Sequence, residues 1–351
     1  MFIPPRCPHR HCGAHQHPRG VWFWRRGYYQ PKCRRIPVPC FRCRVCGRGF
    51  SRQTFRHDYR DHRPFSNGPL LRLLVSGISM RQVARLLDLD IHAVQRKLRK
   101  FAHTCTALHD NLSPKLPSGM TFLLDEEETF ETEKIRPLTM PVVIEKATWF
   151  VVATDAAPIR RLAQAGSQRR LRQEAMEARD GPRPDHSRRS VLGVLRALAR
   201  RLDGGTLTLL SDEKSSYATL VGEVFGDKAK HETTPGTAAR TKHNPLFSIN
   251  TTMAMTRDNN GRLRRRSWLV TKQCKCLSEQ LALFLVYRNY IRFRFNRDEP
   301  EQTPAWFLKL LPRALRPSEV LAWRQDWGDR SIHPMSRTAR QTVAESMVEA
   351  A

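Results

Sequence analysis

The sequence predicts an α/β protein, and three observations carry that prediction. Apolar runs such as "TFLLDEEETF" (121–130) and "TLTLLSD" (206–212) want a pleated, covered surface. Between them lie stretches with apolar residues at helical spacing, such as "SVLGVLRALARRL" (190–202), and strands alternating with helices argue for α/β architecture. Both runs also carry carboxylates where the strand should end, at the rim where α/β folds place their chemistry. The chain has 351 residues, room for two or three domains and at least one sizeable core.

Its 61 Lys+Arg against 33 Asp+Glu give a formal charge of +28, a balance that self-repels unless a polyanion is present. Arginine outnumbers lysine, and the planar guanidinium suits bidentate phosphate and guanine contacts. Nucleic acid is the expected partner. The opening "MFIPPRCPHRH" lacks the apolar segment of a secretion signal, and no apolar stretch reaches the roughly 18 residues of a membrane span. A cytosolic location is expected.

Residues 1–63 are rich in Cys, His, Arg, Pro and aromatics and too poor in aliphatics for a core of their own. Six of the nine cysteines fall in the first 46 residues, which in a reducing compartment favours metal over disulfides. "CPHRHC" supplies Cys7 and Cys12, and "CRVCGRGF" supplies Cys43 and Cys46. Four thiolates from two such turns satisfy tetrahedral zinc, and the metal can supply the folding energy that the missing core cannot. The expectation is a structural zinc ribbon with no open catalytic position. His9 or His11 could replace Cys12, and Cys33 and Cys40 are spare ligands. Trp22, Phe23, Trp24, Tyr28 and Tyr29 are expected to pack a small core between the knuckles.

Residues 64–112 turn helical. "LLRLLVSGISMRQVARLLDLDIHAVQRKLRKFA" divides into three short helices. Ser79 and Gln82 form a capping-box signature, opening a helix through Leu87. Asp90 caps the next, whose Ile91, Val94, Leu98 and Phe101 recur on one face. The opposite face carries His92, Gln95, Arg96, Arg99 and Lys100. An apolar stripe for a partner helix with long donors turned outward is the division a major-groove recognition helix needs. This segment therefore reads as a helix-turn-helix that binds duplex DNA.

After a linker at 112–119, residues 119–297 read as the α/β unit. "TFLLDEEETFET" and "WFVVATDAAP" are its first strands, 159–179 is helix-prone, 180–189 a loop, 190–202 a helix, and "GGTLTLLSD" the next strand. Residues 228–243 are polar and read as a flexible loop; 244–297 read as basic and helical. Residues 298–351 read as a helical tail with one amphipathic stretch at "AWFLKLLPRAL".

Phosphodiester chemistry with two divalent ions needs acids from separate strands converging on one spot, because the ions sit roughly 4 Å apart to clamp attacking and leaving oxygens. Asp125 and Asp212 fit this need, and Asp155 in "VVATDAA" is a rival. Magnesium or manganese suits such oxygen ligands.

With "CRVCGRGFS", "SMRQVARLLDLDIHAVQRKL", "LLDEEETF", "LLSDEKSSYATL" and "HNPLFSINTTMAMTRDNNGRLRRRSWLVTK", the chain resembles bacterial insertion-sequence transposases over most of residues 7–295. These join a zinc ribbon and a helix-turn-helix to an RNase H-like core of the DDE type. The resemblance implies an RNase H-like mixed sheet with flanking helices, and metal-dependent cleavage and strand transfer at element ends. Asp125 and Asp212 would match the first two acids. At the third position the family has a glutamate, whereas "SIN" places Asn250 there, with thirty-seven residues between it and Asp212. An asparagine carbonyl can ligate a hard cation but brings no charge and cannot act as a base. The site then works as Asp-Asp-Asn, takes its acid from Asp258, or is inactive. Arg262, Arg264, Arg265, Arg266 and Lys272 would face the backbone of the element ends. The resemblance also implies a homo-oligomer on DNA, associated with the nucleoid. A regulator or decayed element that binds DNA without cutting is the competing reading; an RNase H-like nuclease acting on RNA hybrids is a third.

Overall fold

A computed structural model describes residues 2–323, apart from 34, 57, 114, 240 and 265–268. The protein combines a small antiparallel sheet with a larger mixed sheet flanked by helices.

The small sheet joins β1 (Phe23–Tyr29), β2 (Val38–Cys43) and β3 (Gly49–Ser51) in that order, with a one-turn helix α1 (Gly13–Gln16) beside it. Trp22, Phe41, Phe50 and Phe55 gather with Cys7, Cys12 and Cys43 into an apolar cluster of their own. Trp22 and Phe50 stack with ring centroids 5.7 Å apart. The aromatic residues expected to form one small core divide instead. Trp22 is buried, but Trp24, Tyr28 and Tyr29 are exposed, because β1 is an edge strand with little covering it beyond Phe23.

Three helices follow: α2 (Asn67–Leu74), α3 (Met80–Leu86) and α4 (Ile91–Leu112). The Ser79–Gln82 capping box forms in both directions, and Asp90 accepts from the N–H groups of His92 and Ala93. The helix opened by Asp90 is not short. It runs 22 residues because its apolar stripe continues through Cys105 and Leu108, which carry it onto the main core. There His109 bonds to Tyr290 and to the carbonyl of Val152. Near its start, Lys97 is buried and bonds to Asp61 and Asn67.

The mixed sheet contains β4 (Thr121–Phe130), β5 (Pro137–Glu145), β6 (Val151–Thr154), β8 (Leu207–Asp212) and β9 (Ala229–Thr234), with the two-residue β7 (Ala157–Pro158) beside β5. The order is β6-β5-β4-β8-β9. The pairs β6/β5 and β5/β4 are antiparallel, while β4/β8 and β8/β9 are parallel. α5 (Gln168–Asp180) and α6 (Ser187–Arg201) connect β7 to β8, and α7 (Ser215–Phe225) connects β8 to β9. α8 (Phe247–Asn259) and α9 (Cys274–Val286) follow, then a π-helical turn at Tyr287–Ile291 and the short α10 (Pro304–Phe307) and α11 (Pro317–Ala322).

Three expectations about this region change. The segment 112–119 is no free linker: Leu116 is fully buried and its N–H bonds to the carbonyl of Arg201, so α2–α4 and the sheet share one apolar core. Residues 229–234 form an edge strand, since main-chain pairing with β8 supports a polar segment there. "AWFLKLLPRAL" is helical only at its start, because Pro304 favours a first turn and the chain turns out of the helix at Lys309, whose φ is +56. Residues 324–351 of the expected tail lie outside the described residues. Among the described residues no helix is long and apolar enough to cross a membrane.

Candidate functional site

β4 and β8 run parallel with Leu123 opposite Leu210, and Asp125 and Asp212 each lie two residues further along. The strand axes are about 4.8 Å apart at that pair, and equal advance with a period of two puts both carboxylates on the same face. Asp212 ends β8, and its Oδ1 accepts the N–H of Lys214 as the chain turns into α7. Asp125 Oδ1 accepts the N–H of Glu126. Burial pushes the Asp125 carboxyl up to about 6; the Glu126 N–H opposes that rise, and the charges of Asp212, Glu126 and Glu127 add to it.

Alternation along β4 sends its acids to two sides. Glu126 turns toward α7, where its carboxylate accepts from Tyr217 (2.8 Å) and Thr139 (2.6 Å) and pairs with Lys214. Burial and then the Glu126 charge push the Tyr217 hydroxyl far above its ordinary value. Glu127 shares the Asp125 face and pairs with Arg257 of α8. The Glu126–Lys214–Tyr217 group therefore ties the turn after Asp212 to the residue after Asp125. Sequence reasoning did not single out these three. Their signal was weak: an acid run on one strand, and, after the other, a lysine in the turn and a tyrosine in the first turn of the helix.

Asn250 lies in the first turns of α8, half-exposed, and its amide makes no hydrogen bond among the described residues. Arg257 lies seven residues on, two turns along the same helix face, about 10.5 Å in axial rise. Phe247 meets Trp149 at 5.9 Å and Arg257 meets Glu127, so α8 is laid along β4 with Asn250 toward its earlier half. Asp258 sits at the far end of α8, beside the loop that precedes α3. Asp155 follows β6, two strands from β4, or about 10 Å. Its carboxylate accepts from the hydroxyl of Ser190 of α6 (2.9 Å), which ties the end of β6 to that helix, apart from the Asp125–Asp212 pair.

In the small sheet, Cys7, Cys12, Cys43 and Cys46 place their sulfur atoms within 4.8 Å of one another. Cys7 and Cys46 are 3.6 Å apart and Cys12 and Cys43 3.7 Å apart. A zinc–sulfur bond of about 2.3 Å in a tetrahedron requires sulfurs about 3.8 Å apart, so the donor set fits zinc. Cys12 completes the set rather than His9 or His11, and Cys33 and Cys40 stay outside it. The loops that carry the sulfurs are fastened by main-chain bonds, Cys12 N–H to His9 and Gly47 N–H to Cys43.

The cationic residues expected to face DNA divide by their partners. His92, Gln95, Arg96 and Arg99 are exposed near the start of α4, with Arg99 within 3.4 Å of Glu279. Lys100 is not a free donor: it bonds to Asp61 Oδ1 (2.9 Å) and to the carbonyl of Tyr59 (2.7 Å). Arg262 is not free either. Its guanidinium lies between Gln280 and Met80, where burial holds its pKa down. Arg264 and Lys272 are exposed, and Arg265 and Arg266 lie outside the described residues.

No family model matches the chain, and no curated protein matches it. Among solved structures it is similar to a chain of the simian T-cell lymphotropic virus intasome in complex with the PP2A regulatory subunit B56 gamma. The match has 13% identity and a TM-score of 0.27 and covers 70% of this chain and 74% of that one. A likeness that loose establishes neither the fold family nor the activity of this chain.

Proposed function

We propose that this protein is a DNA transposase of the insertion-sequence type, cutting and joining phosphodiesters at element ends with the help of divalent ions. The observation that carries the reading is the shared register of Asp125 and Asp212 on adjacent parallel strands. The mixed sheet, with its first strand central between antiparallel and parallel neighbours, supports an RNase H-like core. Burial of Asp125 beside Asp212 supports a cation there, since two carboxylates so placed repel unless one is protonated or a cation lies between them.

Asp125 and Asp212 would hold magnesium or manganese, with the Asn250 amide oxygen as a neutral third donor. Such a pair of ions stabilises the attacking and leaving oxygens of an in-line displacement. The chain's own part is positional. Lys214, fixed on Glu126, holds the turn after Asp212 against β4, and the exposed face of α4 would orient the duplex through His92, Gln95, Arg96 and Arg99. The four cysteines would hold a structural zinc. Assembly as a homo-oligomer on the two ends, in association with the nucleoid, belongs to the same reading.

The test is cleavage and strand transfer on an end-containing duplex with magnesium or manganese, with Asp212→Asn as control. Activity in wild type and its loss in the variant, with DNA binding kept, supports the reading. Equal inertness of both, with DNA binding kept, favours the second reading: a DNA-binding regulator or decayed element, which the uncharged Asn250 supports. Preferential cleavage of RNA–DNA hybrids would favour a nuclease instead.

A further inference from the structure

Between the cysteine knuckles and α4 lies an open groove of about 1060 Å³. Arg26, Arg42, Arg48, Arg56, Arg60 and Lys100 line it, and among the described residues no acid does. Two of these cations are already engaged, Arg56 with Asp58 and Lys100 with Asp61. The other four have no carboxylate partner among the described residues; Arg42 bonds only to the carbonyl of Gly47, and Arg60 lies over the ring of Tyr59. Elsewhere the chain pairs arginines readily, as in Arg160–Glu177, Arg183–Glu131 and Arg313–Glu319. Several guanidinium groups left without acids around one concavity repel one another, and a polyanion relieves that repulsion.

The groove also leads somewhere. Lys100 marks its wall on α4, one turn from Arg96 on the exposed face. Its other wall includes Arg48 and Gly49 at the start of β3 and the second half of β1, where Arg26 and Tyr29 are exposed. We infer that this groove seats the phosphate backbone of the DNA duplex that α4 reads, so that the cysteine unit and α4 grip one duplex together. This rests on the DNA-binding reading of α4 and assigns the cysteine unit a binding role besides its structural one. Guanidinium forks match phosphate oxygens in pairs, and such contacts set register without reading sequence.

The test uses the full chain with a labelled random-sequence duplex, its affinity followed from about 50 to 200 mM salt. In the triple variant Arg26→Gln/Arg48→Gln/Arg60→Gln the slope of log K against log salt should become shallower by about 2 to 3, because each phosphate that an arginine neutralises adds about 0.9 to it. A remote triple of the same charge change, Arg172→Gln/Arg189→Gln/Arg200→Gln, should leave the slope near wild type. In wild type, bound duplex should also protect Arg26, Arg48 and Arg60 from an arginine-specific dicarbonyl reagent, a readout that needs no variant to fold. An unchanged slope with no protection overturns the groove proposal while His92→Ala/Gln95→Ala/Arg96→Ala still weakens binding, which leaves the reading of α4 standing. Equal effects of the two triples overturn the groove as well. A wild-type chain that binds no duplex overturns both, and groove-dependent binding of single-stranded RNA in place of duplex overturns the choice of partner.

Discussion

Asp125 and Asp212 stand side by side, two residues past the Leu123–Leu210 pair of adjacent parallel strands. Asp125 holds its proton up to about pH 6 in the folded chain, above the ordinary carboxylate range. Its folded pKa is raised, so the folded state binds the proton more tightly than the unfolded chain, and ionisation opposes folding. The cost starts as pH rises past the unfolded value and is complete above about 6. Asp125→Asn should therefore stabilise the protein near neutral pH without divalent ions, by up to about 3 kcal/mol, and give no gain near pH 4. Urea unfolding at the two pH values measures this. A gain of the same size at both would mean that the carboxylate's charge is not what burdens the site.

The cysteine unit has an apolar cluster separate from the main core. With four sulfurs drawn to the spacing of a tetrahedral ion, its order should depend on that ion. Chelation with a strong zinc ligand, or Cys43→Ser, should unfold residues 2–55 and leave the mixed sheet intact. The measurements are one zinc per chain by elemental analysis, a change of Trp22 fluorescence on chelation, and a retained cooperative melt for the remainder. Loss of the whole melt on chelation would show that the two cores are not separable.

Gly77 has φ +71, a conformation that side chains rarely adopt, and a Cβ there would lie 2.2 Å from the carbonyl oxygen of Asp258. Its N–H also bonds to the carbonyl of Asn259. The turn before α3 is thus fastened to the end of α8, joining the helices that would bind DNA to the helix beside the carboxylates. Gly77→Ala combines left-handed strain with a backbone clash and should cost at least about 2 to 3 kcal/mol. Thermal unfolding reads it directly; a cost under about 0.5 kcal/mol would mean that this junction is slack.

Some of this arrangement is legible in the chain and some is not, for physical reasons. Apolar runs before Asp125 and Asp212 announce strands because their residues have no use in a loop, although β4 continues to Phe130 and only β8 ends on its acid. Their adjacency is a matter of topology, which no local pattern carries. β5 escapes notice because Pro137 opens it and Pro141 interrupts it, yet all nine of its positions are buried. Pro141 is tolerated since its carbonyl still accepts the N–H of Asp155 while its ring replaces a donor. β9 escapes because "AKHETT" has Ala229 as its one apolar residue and is held by main-chain bonds to β8. Lys100 and Arg262 look like surface cations in sequence, but Asp61 and the carbonyl of Tyr59 in one case and Gln280 with Met80 in the other turn them inward. The four cysteines were easiest to read, because thiolate pairs at short spacing have few other uses in a reducing compartment.

Asn250 is the residue on which activity should turn. It lies two turns before Arg257 on α8, and Arg257 is paired with Glu127, two residues from Asp125 on the same face of β4. As a third donor a neutral amide would leave two carboxylates to balance divalent ions, which would lower metal affinity relative to three. Asn250→Glu restores an acid in the first turns of a helix, where a negative charge is also favoured by the helix dipole. Cleavage at low magnesium should rise by about tenfold or more, the equivalent of about 1.4 kcal/mol in metal binding, while Asn250→Ala should fall below wild type. Asp258→Asn should change neither metal dependence nor rate, since Asp258 stands eight residues further along, about 12 Å in axial rise. Metal titration of cleavage in the four proteins decides the matter. If Asn250→Glu and Asn250→Ala both match wild type while Asp258→Asn is dead, the third donor comes from the other end of α8.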